Sequence, residues 1–493
     1  MTANVEKKVI PISLFALALF IRLWHLGKPS IWMDEAFSVW VSSHNIHDIF
    51  TLLKMDTHPP GFYLFLHEWF AFVGFNDFWL RFPFAAMDAG SAVLIYWVVR
   101  ECSNRKVAVL SSLLWAASFY AQYMDTQVRM YPMALFFSLF STFFFLKAFK
   151  RPTVWRWLVY LIFAALSLYT HYYCGLIVMT HLFYMVIKKR IPEASFLLIG
   201  LTILFSPWIP GFLYQTHHFV GWRTLQVEPC WNLQFFATLF GVSLIYGNPL
   251  MIAFANILGA IIMAVSGVVV FRNSSKEQGL LWLLTACPLS FLLISYNFQI
   301  SYVHWLRHIT FLAPYFYFLV AFVLISLHRL FLVALLACYF SMNLYSSFLF
   351  GTGPAFERQS WRTISHYLRD HMQDGDSAWV EQSLSLFPIW YYDPKEFNIR
   401  VKTGEQGFSI EILSLRHKIW GLGSSEVAEA QLQAISKNSK RIWVILCQET
   451  IADPHEKVIR WFRKHCPLLL AQRYRSLDEG EDIQVFLFNP PKF

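Results

Sequence analysis

Four charged stretches carry residue types that could do chemistry. Asp34-Glu35 comes first, then Asp56-Thr57-His58-Pro59-Pro60 with Glu68 and Asp77 behind it. Further on stand Gln122-Tyr123-Met124-Asp125 leading to Arg129, and the run Tyr302 to His308, which contains Arg307. A carboxylate can take a proton from a hydroxyl. Cations such as His58, Arg129 and Arg307 can hold a departing phosphate. A sugar passing from a lipid phosphate to an acceptor hydroxyl needs both. Each group also has an ordinary reading. An Asp-Glu pair in a loop is usually solvated, His58 beside two prolines could cap a helix, and Arg129 and Arg307 at helix edges could simply reach for the membrane surface. His171, followed by Tyr172 and Tyr173, reads as an interfacial anchor. Arg22 reads as a snorkelling residue or as the partner of an intramembrane acid, with Asp88 the main acid inside an apolar run.

The elements that must position these groups follow from composition. Of 493 residues, 56% are hydrophobic, 18% aromatic and only 14% charged. Soluble domains carry about a quarter charged residues, so the chain lacks the charge to cover a water-facing surface. That excludes disorder, a collagen-like chain and a small disulfide scaffold, and predicts a polytopic α-helical membrane protein. Apolar runs predict about 11 spans: 9–27, 79–99, 107–123, 131–147, 154–171, 173–187, 195–213, 250–271, 279–296, 309–327 and 330–350. The stretch 234–247 is too short or irregular to count. The first run lacks a small-residue cleavage site and reads as a retained span.

Residues 1–350 hold 22 Lys+Arg against 13 Asp+Glu, whereas residues 351–493 hold 18 of each. The basic excess therefore sits among the apolar runs, as in membrane loops rather than on a nucleic-acid surface. With the N-terminus in the cytoplasm, inside loops carry fifteen basic residues. Outside loops carry six: Lys28, Lys54, Arg81, Arg129, Arg223 and Arg307. That bias sets the orientation, and an odd number of spans puts the tail outside.

Two domains are expected: a transmembrane domain, 1–350, with a first outer loop at 28–78, and an extracytoplasmic α/β domain, 351–493. In the tail, helices at 361–372, 425–437 and 455–465 alternate with strands at 378–380, 442–446 and 485–488. In the outer loop Ile46, Ile49, Phe50 and Leu53 recur at helical spacing, which predicts an amphipathic helix in the membrane interface. Pro59 holds His58 extended, and Pro60 can open a second helix. Of seven cysteines, Cys230 falls in an outer loop. Cys447 and Cys466 fall in the outer domain, where a disulfide is chemically allowed. No CxxC or HExxH pattern suggests a structural zinc site.

The order of these motifs resembles the GT-C class of membrane glycosyltransferases, and most closely the bacterial glycosyltransferase family 39, similar to protein O-mannosyltransferases and lipid A aminoarabinose transferases. The matching stretches are Arg22-Leu23, Asp34-Glu35-Ala36, Asp56 to Pro60 with Tyr63, Leu80-Arg81-Phe82, Arg129-Met130-Tyr131, Arg307 leading to Pro314, and Trp361-Arg362 to Gly375-Asp376. The likeness covers most of the first 150 residues well and the rest loosely.

The resemblance implies inverting transfer from a polyprenyl-phosphate sugar to an acceptor hydroxyl at the outer face of the cytoplasmic membrane. The acceptor would be an envelope lipid, glycan or protein. Asp34 and Glu35 would be catalytic, with Asp34 the base. Asp56, His58, Tyr63, Arg81, Asp125, Arg129, Tyr131 and Arg307 would bind substrate. No obligatory metal is expected; relatives differ in metal use, and no ligand cluster supports a divalent ion here. Membrane lipids are expected partners and nucleic acid is not. The alternative is a transporter or flippase of a lipid-linked sugar, which would show charges inside spans and discontinuous helices in paired halves.

Overall fold

The computed structural model describes residues 2–54, 56–218, 234–242, 248–272, 276–297, 305–352, 358–381, 383–404, 407–414, 418–421, 429–447, 455–476 and 482–491. Arg223, Cys230, all of 298–304, the end of the 234–247 stretch and the start of the helix expected over 425–437 lie outside these residues. So does the side chain of Asp125.

The chain is mostly helical. Up to residue 218 the helices are α1 (Thr2–Leu23), α2 (Met33–Ser42), α3 (Ile46–Leu53), α4 (Gly61–Val73), α5 (Asp77–Cys102) and α6 (Arg105–Ala117). There follow α7 (Phe119–Asp125), α8 (Tyr131–Lys150), α9 (Val154–Thr170), α10 (Cys174–Ile187), α11 (Ile191–Phe205) and α12 (Ile209–His218). Long apolar helices then run over Pro249–Arg272, Lys276–Asn297 and Arg329–Thr352, with a shorter one over Ala313–Ile325. Among the described residues six helices are long and apolar enough to cross a membrane, and three shorter apolar helices accompany them. The expected span at 107–123 is not one helix. It breaks at Ser118, which ends α6 in an extended conformation and caps α7 by accepting the Ala121 N–H.

Two compact units emerge. The first comprises residues 1–26, 46–65 and 81–348, and the second 27–45, 66–80 and 349–493. In the first, the intramembrane acid–base pair is real. Arg22 Nε donates to Asp88 Oδ2 at 2.7 Å, and both side chains are fully buried. The guanidinium also donates to the carbonyls of Ala116 (2.7 Å) and Trp115 (3.1 Å), and the Trp115 indole donates to Asp88 Oδ1 at 2.9 Å. Arg22 is thus an intramembrane partner, not a snorkeller, and it adds donors to carbonyls at the end of α6, of which that of Trp115 also accepts the Ser118 N–H. The restart is secured too. Phe119 N–H donates to Asn343 Oδ1 at 2.8 Å, Ser118 Oγ lies 2.8 Å from the Tyr317 hydroxyl, and Tyr120 Oη lies 2.7 Å from Thr310 Oγ1.

In the second unit a five-stranded sheet has the order β4-β1-β5-β7-β6. Its strands are β1 (Ser377–Val380), β4 (Lys418–Gly421), β5 (Ile442–Cys447), β6 (Leu468–Tyr474) and β7 (Ile483–Phe488). Strand β1 runs parallel to both β4 and β5, and β7 runs antiparallel to β5 and β6. A separate antiparallel pair joins β2 (Phe397–Gly404) to β3 (Gly407–Ser414). Helices Glu429–Lys437 and Lys457–His465 bury Leu432, Ile435, Val458 and Phe462 against Trp379, Val444 and Phe486 of the sheet. Cys447 and Cys466 are not bonded to each other. Both are buried, Cys447 beside Gln359 and Cys466 beside Ser436.

The Arg22–Asp88 pair makes a clear prediction. Removing one member leaves the other buried without its counter-charge, which costs about 3–5 kcal/mol in comparable pairs. Asp88→Ala is expected to sharply lower the unfolding temperature of the detergent-purified protein. Asp88→Asn, which can still accept from Arg22, is expected to lose less.

Candidate functional site

The residues of the Asp56–Pro60 motif form a tight local cluster in the first unit. Tyr63 Oη donates to Asp56 Oδ2 at 2.6 Å, and the Thr57 N–H donates to Asp56 Oδ1 at 2.7 Å. His58 Nδ1 lies 3.3 Å from both carboxylate oxygens. Burial pushes the Asp56 carboxyl upward. The His58 ring, through its charge and hydrogen bond, the Tyr63 hydroxyl and the Thr57 amide outweigh that and hold it below the usual carboxylate range.

The sequence around this loop explains its placement. The amphipathic helix is present as α3, with Ile49 and Leu53 buried and Ile46 and Phe50 exposed. Pro60 precedes α4, whose first turn is closed by Leu64 N–H on the Pro60 carbonyl at 3.0 Å. Gly61 packs directly on the end of α9. A Cβ there would sit 2.6 Å from the Tyr169 carbonyl oxygen, a backbone atom that cannot move aside cheaply.

Gln215 of α12, a residue the sequence reading passed over, ties both ends of the loop. Its Nε2 donates to the carbonyls of Leu53 (2.6 Å) and His58 (3.1 Å). Tyr172 Oη donates to its Oε1 at 2.5 Å, and the Trp208 indole donates to Tyr172 Oη at 2.7 Å. The only hint in the sequence was an amide just past an apolar run.

Around His58 lies a second group of rings. The His171 ring centroid is 5.5 Å from that of His58, 5.6 Å from Tyr131 and 5.6 Å from His308. His308 packs at 4.2 Å on Tyr173. Burial pushes the His308 imidazole down to about 3, with the Arg307 and His58 charges adding to the effect, so its ring is neutral at pH 7. Arg129, in the loop between α7 and α8, is buried, and it acts electrostatically on His171 together with His58 and His308. Neither Arg129 nor His171 is a surface anchor. Arg307 sits on the short Trp305–His308 helix and is partly exposed. Arg81 is buried, with Nη1 donating to the Leu26 carbonyl at 3.2 Å just beyond α1. Asp125 ends α7.

Asp34 and Glu35 belong to the second unit, on the first turn of α2. Glu35 is fully buried and its Oε2 accepts the Trp32 N–H at 3.3 Å, a capping contact. The Ile31 N–H donates to Tyr392 Oη at 2.7 Å, and the Met33 N–H points at Gln359 Oε1 at 3.4 Å. The Arg358 guanidinium covers the Trp32 ring at 3.6 Å. The helix start is therefore held by its own unit, and Asp34 remains partly exposed beside the buried Glu35. Among the described residues no group of three His, Cys, Asp or Glu is arranged to hold a metal ion.

Comparison with known proteins places this helical bundle and its smaller sheet-containing part among solved folds. Residues 57–214 match the family model described as dolichyl-phosphate-mannose-protein mannosyltransferase. ArnT from Cupriavidus metallidurans in the apo state shares the fold with a TM-score of 0.56 at 11% identity, over 96% of this chain and 97% of that one. The same protein bound to undecaprenyl phosphate gives 0.55, also at 11% identity and over the same shares of the two chains. The archaeal oligosaccharyltransferase AglB from Archaeoglobus fulgidus, in complex with an inhibitory peptide and a dolichol-phosphate, gives 0.54 at 9% identity, over 93% of this chain and 71% of that one. No curated protein matches the chain. The chain thus has a GT-C-like fold, and over residues 57–214 it is family-39-like.

The Gln215 bridge can be tested without any assay of function. Gln215→Leu removes both donors to the 53–58 loop. The expected outcome is faster hydrogen exchange at the amides of Asp56 and Thr57, with little change at the buried α8 and α9 amides. Equal protection in variant and parent would show that the loop holds itself.

Proposed function

We propose that the protein is a membrane glycosyltransferase. It transfers a sugar from a polyprenyl-phosphate donor to an acceptor hydroxyl at the outer face of the cytoplasmic membrane, with inversion at the anomeric carbon. The observation that carries this reading is a coincidence of two things. The stretch matching the mannosyltransferase family model, 57–214, contains His58 and the residues that gather near it, Arg129, Tyr131 and His171, and Gln215 follows directly after it. A buried cluster of basic groups beside an ordered carboxylate suits an anionic, lipid-borne donor.

In this reading Asp34 takes the proton of the acceptor hydroxyl. The oxygen attacks the anomeric carbon from the face opposite the phosphate, the carbon–oxygen bond to phosphate breaks, and polyprenyl phosphate leaves. The leaving group already carries charge and needs little acid help. His58, Arg129 and Arg307 take its phosphate, and Asp56, fixed by Tyr63 and Thr57, orients a sugar or acceptor hydroxyl. Glu35 supports Asp34 through the start of α2. Tyr131 and Arg81 then act chiefly by shaping the ground around these groups. The acceptor is an envelope lipid, glycan or protein, and the N-terminus is cytoplasmic with the C-terminal part outside. No obligatory metal is included. The transporter alternative gains nothing from Arg22 and Asp88, because these two intramembrane charges are bound to each other.

Mass spectrometry of envelope lipids and glycans from a null strain tests the reading. The wild-type gene is expected to restore a sugar-sized mass increment. Asp34→Asn is expected to restore almost none, since a lost general base costs about 10²–10⁴-fold. Full restoration by Asp34→Asn would remove the base, and an absent increment in the wild type would remove the transferase.

The pH profile gives a second check. Tyr63→Phe takes away a hydrogen bond to ionised Asp56, so that carboxyl should titrate at higher pH than in the parent. If ionised Asp56 is required, the acidic limb of the activity profile moves to higher pH while the basic limb stays. An unmoved acidic limb would take Asp56 out of the reaction.

A further inference from the structure

We infer that His171 is a ligand-binding residue whose Nε2–H donates to an oxygen of a bound phosphate ester. The inference rests on the transferase reading and adds to it a residue outside the motifs on which the resemblance above was drawn.

The tautomer follows from the backbone. The Tyr173 amide donates to His171 Nδ1 at 3.1 Å. A backbone N–H is only ever a donor, so Nδ1 presents its lone pair and the proton of the neutral ring is on Nε2. That Nε2 is buried and has no hydrogen-bond partner among the described residues, in a side chain that is 3% exposed. Buried donors are nearly always satisfied, so an orphaned one in a folded protein calls for an acceptor that comes from outside the chain.

The surroundings say which kind of acceptor. Of the groups that act on His171, the Arg129 guanidinium is buried and keeps its charge, while His308 is neutral and His58 is paired with Asp56. Beside a guanidinium an anionic phosphate oxygen accepts the N–H more favourably than a neutral carbonyl does. The Phe311 ring, with its centroid 5.0 Å away, and the Tyr131 ring close the sides and keep bulk water from competing. The Asp56 carboxylate is engaged by Tyr63, Thr57 and His58, so it does not compete for the Nε2–H.

The test is titration of the full-length protein in detergent with undecaprenyl phosphate and, separately, with undecaprenol, which has the same tail and no phosphate. His171→Phe keeps a ring of similar size and loses the donor. It is expected to weaken undecaprenyl phosphate binding about tenfold or more and to leave undecaprenol binding unchanged. His171→Gln, which restores an amide donor, is expected to recover much of the loss. Wild-type affinity in His171→Phe, with Arg129→Ala clearly weakened, would overturn the role of His171 and leave the transferase reading standing. Equal weakening toward both lipids would also overturn it, because that pattern reports a packing defect. No preference of the wild type for undecaprenyl phosphate over undecaprenol would remove both. If His171→Phe does not fold, His171→Asn replaces it, whose amide is too short to reach. Wild-type affinity in that variant would be equally decisive against the proposal.

Discussion

A guanidinium buried in an apolar bundle must find a full set of acceptors or it will not stay there. Arg22 finds them on two helices at once, and the rest of the first unit is arranged around that fact. Its Nε binds the Asp88 carboxylate of α5, and its terminal nitrogens take the Trp115 and Ala116 carbonyls at the end of α6. The two needs answer each other. A helix that stops inside an apolar bundle exposes carbonyls with no water to bind, and a cation at its C-terminus both donates hydrogen bonds to them and suits the dipole. Without Arg22 the break at Ser118 would be costly. With it, the chain can leave α6 early, form the short α7 and bring Arg129 inward ahead of α8.

The 54–60 loop shows the same economy at shorter range. Its carbonyls are held by Gln215, its carboxylate by Tyr63 and the Thr57 amide, and its exit by the close approach of Gly61 to Tyr169. These contacts come from α4, α9 and α12, helices that packing already fixes. A site built this way needs little rearrangement to meet charge, which is the condition under which fixed dipoles and cations stabilise a leaving anion best. It also explains why Asp56 can stay ionised despite burial.

How much of this was legible depends on the range of the interaction. Apolar runs located the long helices, and the spacing of Ile46, Ile49, Phe50 and Leu53 located α3. Strands β1, β5 and β7 and the helix at Trp361–His371 were read close to their true bounds. The break at Ser118 was not, because Trp115, Ala116 and Ala117 are good helix residues. What stops the helix is a set of acceptors and donors on Arg22, Asn343 and Tyr317, far away in sequence. Gln215 was passed over, and the buried His171 was read as an interfacial anchor, for a related reason: a lone amide or imidazole near an apolar run has no periodicity to betray its surroundings. Nor did any local signal show that residues 27–45 and 66–80 cluster with 349–493.

One acid which the sequence left without a task takes part in that clustering. Asp77 accepts Arg362 at 2.5 Å and the hydroxyls of Tyr391 and Tyr392 at 2.8 and 2.9 Å. Arg362 spends its remaining donors on the carbonyls of Gly27 and Lys28, and Tyr392 accepts the Ile31 amide. The chain is therefore gripped on the stretch just before α2, and α2 itself packs its Phe37 and Trp40 on Phe387. The approach to the helix is gripped, and the amides at its start are capped by Glu35 and Gln359. The two members of the Asp34-Glu35 pair thus divide the work. Glu35 turns inward and accepts the Trp32 amide at the helix start, and Asp34 at the neighbouring position stays partly open to solvent. An adjacent pair of acids is what the geometry of a helix N-terminus requires for this, because only the third helical residue can reach back to the cap.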